Sequence, residues 1–459
     1  MRSSSSRAVT NPATALLVAF AVALAVFFSA LQARAVEVQR VVSPGGIEAW
    51  LVEDHTNPII ALELAFRGGA ALDPEGKAGL AYMVSTLIDE GAGPLDSQAF
   101  QGELDNLSIS LRFSASLDSF SGSLETLTEN KARAFELLRL ALTEPRFDAE
   151  PVERIRSQII ARLSRESEDP QSIAGRTLRE LMFGAHPYAR PTNGTEASIA
   201  GLTVADLRGF VERRFGRDQL FVGVVGDITP EELGKALDET FGALPAQAAP
   251  FTVPQATVEN PGAVVVIDKP IPQSVVALGH GGIGRDDPDY YAAYTVNYIL
   301  GGGGFSSRLV EEVREKRGLA YSVYAYLAPL DHGTMLVGGT ATQNARVGES
   351  LDLIRQEWAR MAAEGPTAEE LADAKRYLTG SFPLRFSSSD NIAGMLVGMQ
   401  MEDLGIDYFE KRNGYVEAVT LEDAKRVAQR IYDPEALTVV VVGAPEGITA
   451  TREAPAGGS

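Results

Sequence analysis

Hydrophobic residues in this chain follow two patterns: short continuous runs, and runs with helical spacing. The continuous runs at residues 59–66 and 274–279 are apolar almost throughout, which is typical of strands that are largely buried. Residues 206–214 and 422–431 carry apolar side chains at helical spacing instead, which predicts amphipathic helices. Because these strands and helices do not alternate strictly, the pattern favours an α+β fold.

The hydrophobic pattern occurs twice along the chain. Thr203 precedes the first of the two helices and Thr420 the second, 217 positions later. The glycines that end the following strands keep the same offset. Upstream, residues 169–175 (DPQSIAG) resemble residues 388–394 (SSDNIAG). The order and spacing of these matches predict a duplication, with each threonine as the N-cap of its helix.

Composition changes along the chain divide it into five parts. An alanine- and proline-rich stretch is typical of a linker between the halves, and the small polar residues at the C-terminus predict disorder. The expected organisation is a signal segment (1–35), an N-terminal domain (36–245), a linker (246–261), a C-terminal domain (262–450) and a disordered tail (451–459).

The N-terminal segment has the features of a secretory signal. Arg2 and Arg7 precede an apolar run at residues 13–31, and Ala33-Arg34-Ala35 fits a small-x-small cleavage pattern. Cleavage would place the mature protein in the periplasm or outside the cell. Because the apolar run approaches spanning length, an uncleaved membrane anchor is the alternative.

Charge and cysteine content exclude several classes of function. The formal net charge of -20 disfavours nucleic acid and anionic membranes as partners, since both require a basic surface. The chain has no cysteine, which excludes disulfides, thiol catalysis and cysteine metal sites. A histidine-based metal site could draw on only four residues: His55, His186, His280 and His332.

Several segments with little regular periodicity carry a more specific signal. In chain order they are FRGG (66–69), DPEGKAGLA (73–81), EG (90–91), HPYARP (186–191), GGGGFSSRL (301–309) and REKRGLAY (314–321). Together they resemble the pitrilysin/insulinase family of zinc metallopeptidases, most closely its two-domain, mitochondrial-processing-peptidase-like subunits, over residues 38–450. The resemblance implies two duplicated α/β-sandwich-like halves, each with a mainly antiparallel sheet packed with helices.

The residues at the family's metal site differ from the family pattern. Active members have an H-x-x-E-H motif whose two histidines bind zinc and whose glutamate activates water. The corresponding positions here are Tyr82, Ser85 and Thr86, and the third ligand position, a glutamate 76 residues further on in the family, is Arg162. Arginine cannot bind a metal cation and would repel it. The resemblance therefore implies no metal bound by this chain, and the spacing of His55 and His186 does not indicate a rebuilt zinc site.

The second half, in contrast, retains a substrate-contact motif. Arg314 and Tyr321 match an arginine–tyrosine pair that the family places against bound substrate. Arginine offers a rigid fork of donors to a peptide carbonyl or carboxylate, and a tyrosine hydroxyl can donate to the oxyanion of a tetrahedral intermediate. The alternative is a surface ion pair for Arg314 and a core aromatic role for Tyr321.

The glycine run just before this motif is a candidate substrate-binding loop. It lacks the Gly-Lys-Ser/Thr ending of a phosphate-binding loop. We expect Gly303, Gly304 and Phe305 to contact substrate from a flexible loop that leads into a helix at residues 306–317. His186, in the His-Pro-Tyr segment, is expected to stabilise a structural turn.

Two functional hypotheses follow from the resemblance. The first is a non-zinc-binding, substrate-handling subunit of a heterodimeric zinc endopeptidase, whose homologous H-x-x-E-H partner supplies zinc, ligands and general base while this chain supplies Arg314 and Tyr321. The peptide substrate would bind as an added β-strand. The second is a catalytically inactive peptide-binding or scaffold protein of the same fold. A metal-independent enzyme is a weaker third hypothesis, since no Ser-His-Asp or paired-carboxylate arrangement stands out.

Overall fold

The computed structural model describes residues 37–455, which contain two β-sheets of matching topology. The first sheet has the strand order β1-β2-β6-β3-β5-β4, and the second has the order β7-β11-β8-β10-β9. The strands are β1 (Gln39–Val42), β2 (Glu48–Glu53), β3 (Ile59–Arg67), β4 (Ser110–Ala115), β5 (Ser119–Leu127), β6 (Leu220–Gly226), β7 (Val264–Asp268), β8 (Gln273–Gly281), β9 (Ala320–Leu330), β10 (Gly333–Gln343) and β11 (Thr438–Gly443).

The two sheets are built in the same way. Without β1, the first sheet places its strands in the same relative order along the chain as the second sheet does. Each sheet has one parallel pair, β2 with β6 and β7 with β11, and its other pairs are antiparallel. The predicted α+β fold with duplicated, mainly antiparallel halves is therefore confirmed.

Helices cover both sheets. The α-helices of the described part are Leu80–Ser85, Ser97–Asn106, Lys131–Thr143, Ala149–Glu168, Pro170–Phe183, Glu196–Gly201, Val204–Arg214, Pro230–Phe241, Tyr290–Asn297, Val347–Glu364, Ala368–Gly380, Ser389–Met401, Tyr408–Ala418 and Leu421–Ile431. Thr203 and Thr420 each accept a hydrogen bond from a backbone N–H three residues later and form capping boxes with Asp206 and Asp423. The structure thus has both predicted caps.

One helix from each half packs on the sheet of the other half. Ser389–Met401 packs on β3 and β6 of the first sheet, and Pro170–Phe183 packs on β8 and β11 of the second. These helices contain the two segments whose sequences resemble each other, so the exchange is reciprocal. Gly223 in β6 permits the first contact, because a Cβ there would lie 2.4 Å from the Ala393 carbonyl oxygen. The crossing helices make the two halves one hydrophobic unit.

The junction between the halves is held by a network of polar contacts. The buried Tyr188 hydroxyl donates to Asp118 Oδ1 (2.6 Å) in the β4–β5 turn and accepts from the His332 backbone N–H (2.9 Å) in the β9–β10 turn. His186 Nδ1 accepts from the Tyr188 N–H at 3.1 Å, and its Nε2 lies 2.8 Å from the Pro254 carbonyl oxygen. His186 therefore stabilises a turn, and the two sheet turns that correspond by duplication are bridged through one tyrosine.

The segment at 246–261, expected as a linker, follows the surface of both halves. Ala249 N–H donates to Arg213 O, and Ala256 N–H donates to His332 O at 2.6 Å. Within the tail expected to be disordered, Thr451 exchanges hydrogen bonds with Val264. The signal segment at 1–35 and residues 456–459 lie outside the described residues. No helix within residues 37–455 is both long and apolar enough to cross a bilayer.

Candidate functional site

The four degenerate metal positions lie on two helices, and two of them touch. Tyr82, Ser85 and Thr86 lie in or directly after the helix Leu80–Ser85, and Arg162 lies in Ala149–Glu168. Arg162 Nη1 donates to the Tyr82 hydroxyl at 2.7 Å, and the guanidinium carbon is 5.7 Å from the centre of the Tyr82 ring. A tyrosine–arginine contact thus joins the two helices at the family's metal position.

The polar groups at this position are occupied by other protein groups. Arg162 also pairs with Glu166 at 2.8 Å, and the hydrogen bond to Glu166 raises the pKa of its guanidinium. The hydroxyls of Ser85 and Thr86 donate to carbonyls of their own helix, at 2.8 and 3.0 Å. Within residues 37–455, no group of three or more histidine, aspartate or glutamate side chains could hold a metal ion. The donor set here, two hydroxyls, a phenol and a cation, does not fit zinc.

The DPEGKAGLA and HPYARP segments around these positions hold the helix Leu80–Ser85 in place. The buried Asp73 carboxylate accepts hydrogen bonds from the backbone N–H groups of Gly79, Leu80 and Ala81 at 2.8–3.0 Å. Burial raises the pKa of Asp73 to about 7, although these three donors oppose the rise. Arg190 of the HPYARP segment donates to the Asp73 and Ala71 carbonyls. The helix scaffold therefore persists although the metal ligands are absent.

Arg314, Tyr321 and Phe305 form a second cluster, which faces solvent. The Arg314 guanidinium carbon lies 4.6 Å from the centre of the Phe305 ring and 5.2 Å from that of Tyr321. Phe305 is 72% exposed and Tyr321 is 88% exposed. Among the described residues, Arg314 has one ionic partner, Glu315, at the long distance of 3.4 Å. The guanidinium and the phenol are therefore both available to a bound molecule. Within residues 37–455, neither makes a ring or polar contact with Tyr82 or Arg162.

A β-bulge turns Tyr321 outward. Val323 pairs with Thr340 in β10, whereas Ala320 pairs with Thr342, so two residues of β9 face one residue of β10. Bulges of this kind locally re-aim a side chain. The Tyr321 ring is accordingly exposed to water. The alternative interpretation of Tyr321 as a core aromatic residue is therefore wrong. β9 is also the outermost strand of its sheet, so its free edge lies beside this cluster.

The glycine run and the segment after it form short helical turns. Residues Tyr298–Gly302 and Val310–Glu315 form wide helical turns of the π type, with a 3₁₀ turn, Gly304–Ser306, between them. A helix therefore follows the glycine run, as expected, but it covers fewer residues than 306–317 and has π geometry over Val310–Glu315. Gly304 adopts a left-handed conformation (φ +55°), which glycine tolerates best. Gly303, Gly304 and Phe305 line a cavity of about 860 Å³.

A buried ion pair fixes the start of the helix that carries Arg314. Arg308, 6% exposed, donates from Nε and Nη2 to the two carboxylate oxygens of Glu370 at 2.6 and 2.7 Å. Glu370 also closes a capping box with Thr367. Sequence reasoning missed this pair, although the T-x-x-E spacing of residues 367–370 is a recognisable signal for the cap.

Two family models match the chain. The insulinase (peptidase family M16) model matches residues 49–196, and the peptidase M16 inactive domain model matches residues 201–378. Together they include most strands of both sheets, though not β1 or β11, and they include Tyr82, Arg162, Arg314 and Tyr321.

Individual relatives agree with this match. The chain is 30% identical to the non-peptidase homolog YmxG of Helicobacter pylori, over 78% of this chain and 82% of that protein. It is 25% identical to an uncharacterized zinc protease of Mycobacterium leprae, over 87% and 90%. The crystal structure of a peptidase M16 inactive domain from Pseudomonas fluorescens superposes with a TM-score of 0.84 at 29% identity, covering 91% of this chain and 100% of that one. The chain therefore belongs to peptidase family M16.

Proposed function

We propose that this chain is the substrate-handling subunit of a two-chain zinc endopeptidase, and that it contributes Arg314 and Tyr321 to an active site shared with a homologous H-x-x-E-H chain. The observation that carries the proposal is the contrast between the two clusters. At the degenerate metal position Tyr82 and Arg162 bind each other, whereas the partly exposed Arg314 and the exposed Tyr321 line a cavity of about 370 Å³. Two large exposed aromatic rings around a cation are costly unless a partner or ligand covers them.

The division of chemistry follows from these groups. The partner would supply zinc, its ligands and the base that activates water. Arg314 would hold a peptide carbonyl or carboxylate through its planar fork of donors, and Tyr321 would donate its hydroxyl to the developing oxyanion. The free edge of β9 would accept the peptide backbone as an added strand. If the signal segment is cleaved, these events take place in the periplasm or outside the cell.

The proposal is tested by co-expressing the chain with a homologous H-x-x-E-H chain from the same genome and measuring hydrolysis of an unfolded polypeptide. We expect a stable heterodimer whose activity requires both chains and is removed by a zinc chelator. Tyr321→Phe should lower kcat by about 100-fold or more, because one oxyanion donor is lost, while KM changes little. Tyr415→Phe is the matched control, since Tyr415 is also exposed (40%) but lines neither the cavity beside Tyr321 nor the one beside Phe305. Equal activity of the two variants would refute the role of Tyr321.

A scaffold or peptide-binding protein without hydrolytic function is the second candidate. The 30% identity to a protein named as a non-peptidase homolog favours it. On this alternative, the tagged chain would purify from its own cells without a stoichiometric H-x-x-E-H homologue. It would still bind unfolded polypeptide, and Arg314→Ala would weaken that binding with no proteolysis in any preparation.

A further inference from the structure

A cavity of about 270 Å³ in the second half includes neither Arg314 nor Tyr321 in its wall, and it shares Tyr294, Arg385 and Arg412 with the neighbouring cavity beside Phe305. It is lined by residues of the helices Tyr290–Asn297, Ser389–Met401 and Tyr408–Ala418, together with the segment 382–386. Its wall is aromatic and flexible, with several tyrosines and phenylalanines and the thioethers of Met395 and Met399. Cavities of this composition suit an apolar or aromatic ligand body.

An arginine with unused donors lines this cavity. Arg412 is 4% exposed, and its guanidinium carbon lies 4.6 Å from the centre of the Phe382 ring. Its Nη1 donates to the Leu378 carbonyl (2.6 Å) and to Asn413 Oδ1 (3.0 Å). Within residues 37–455 its Nε and Nη2 have no hydrogen-bond partner, and no carboxylate lies within ion-pair distance. A buried guanidinium is normally paired with an anion, so this charge lacks its usual partner.

A second arginine in the wall, Arg285, donates its side-chain hydrogen bonds to neutral groups. Arg285 lies 4.2 Å from the centre of the Tyr290 ring, and its Nη2 donates to the hydroxyls of Tyr408 (2.8 Å) and Tyr291 (3.2 Å). Glu402 is the one carboxylate among the lining residues; within residues 37–455 it forms no salt bridge with either arginine, although it lies close enough to Arg285 for electrostatic attraction. This is unexpected in a chain of net charge -20, where acidic partners are plentiful.

We propose that this cavity binds a carboxylate carried on an aromatic or large apolar group, with the carboxylate on Arg412 and the apolar body between the tyrosines and methionines. The two sources of such chemistry are a free aryl or alkyl acid and the C-terminal residue of a peptide. The volume accommodates about one aromatic side chain. The site uses neither Arg314 nor Tyr321, so it stands whether or not the chain is part of a peptidase.

Binding is tested with the full chain, labelled with ¹³C at its methionine methyl groups. N-acetylphenylalanine is the probe, and its uncharged amide is the matched comparison. We expect saturable shifts at Met395 and Met399 but not at Met83, which lies in the core of the first half. The dissociation constant of the amide should be higher by about tenfold or more, because the amide loses the charge-assisted hydrogen bonds. Equal binding of acid and amide, or no saturable shift at Met395 and Met399, would overturn the proposal.

A cavity-filling variant separates binding from folding. Gly398 lines the cavity, and a Cβ added there meets no atom within 4 Å, so Gly398→Leu should fill the space and retain the fold. Gly394→Leu is the control: it lies one turn earlier in the same helix, also in open space, and does not line the cavity. We expect binding to be lost only in Gly398→Leu, and equal binding in both variants would overturn the site.

A further arm distinguishes the two sources of the ligand. A short acetylated peptide ending in phenylalanine is compared with phenylpropionate in the same titration. Tighter binding of the peptide assigns the site to chain ends, and binding of phenylpropionate alone assigns it to free acids. Loss of both in Arg412→Met, with thermal unfolding unchanged, would support the role of the guanidinium.

Discussion

Replacing Glu370 by glutamine tests the ion pair that anchors the Arg314-bearing helix. Burial alone would raise the pKa of Glu370, but the hydrogen bonds from Arg308 outweigh it and hold the pKa at about 2, against an ordinary value of 4.5. This difference corresponds to about 3 kcal/mol of stability at most, and the 30% exposure of the Glu370 side chain lowers the value somewhat. Because Glu370→Gln also removes the one carboxylate hydrogen-bonded to the buried Arg308 and leaves it only the more distant Glu357 and Glu364, we expect a loss of about 2–4 kcal/mol at pH 7.

The pH dependence gives the sharper test. A depressed carboxyl pKa stabilises the folded protein fully above pH 4.5, and this contribution is lost as the pH falls from 4.5 towards 2. The difference in unfolding free energy between wild type and Glu370→Gln, measured by urea denaturation, should thus be constant from pH 5 to 8 and shrink below pH 4.5. Glu369→Gln, an exposed neighbour in the same helical turn, should show no such difference. A gap below about 1 kcal/mol, or one independent of pH, would refute the assigned pairing.

Three further predictions concern the fold and the degenerate metal position. Leu396 is fully buried in the helix that packs on the first sheet, so Leu396→Ala should lower the free energy of unfolding in urea by about 2–5 kcal/mol. Asn391 is exposed in the same helix, and Asn391→Ala should cost little. Equal effects of the two variants would contradict the helix exchange. Tyr188→Phe should cost about 1–3 kcal/mol by the same assay, because the Asp118 carboxylate and a backbone N–H lose their partner. The fourfold variant Tyr82→His, Ser85→Glu, Thr86→His, Arg162→Glu should bind one zinc ion, measured by metal analysis after dialysis. A variant that stays metal-free would show that the two helices are not positioned for zinc.

The sequence predicted the helix caps and the duplication because both depend on short-range chemistry. Thr203 and Thr420 cap their helices through an acidic residue three positions later, a contact within one turn. The continuous valine-rich run of β11 is buried along its whole length, as hydrophobic periodicity indicates. The similarity of residues 169–175 and 388–394 identified equivalent helices, but it could not indicate that each packs on the opposite sheet, since that contact joins residues far apart in the chain.

The degenerate metal position and the Arg314 cluster divide in the same way between sequence and structure. The residue types at positions 82, 85, 86 and 162 are fixed by the sequence, and they exclude zinc binding by simple donor chemistry. That Tyr82 and Arg162 bind each other, and that Tyr321 turns into water, depends on the packing of two helices and on one extra residue in β9. The residue types at these four positions therefore determined that the family's zinc ligands are missing. The packing of helices and the register of strands, which join residues far apart in the chain, decided which side chains remain free to bind another molecule.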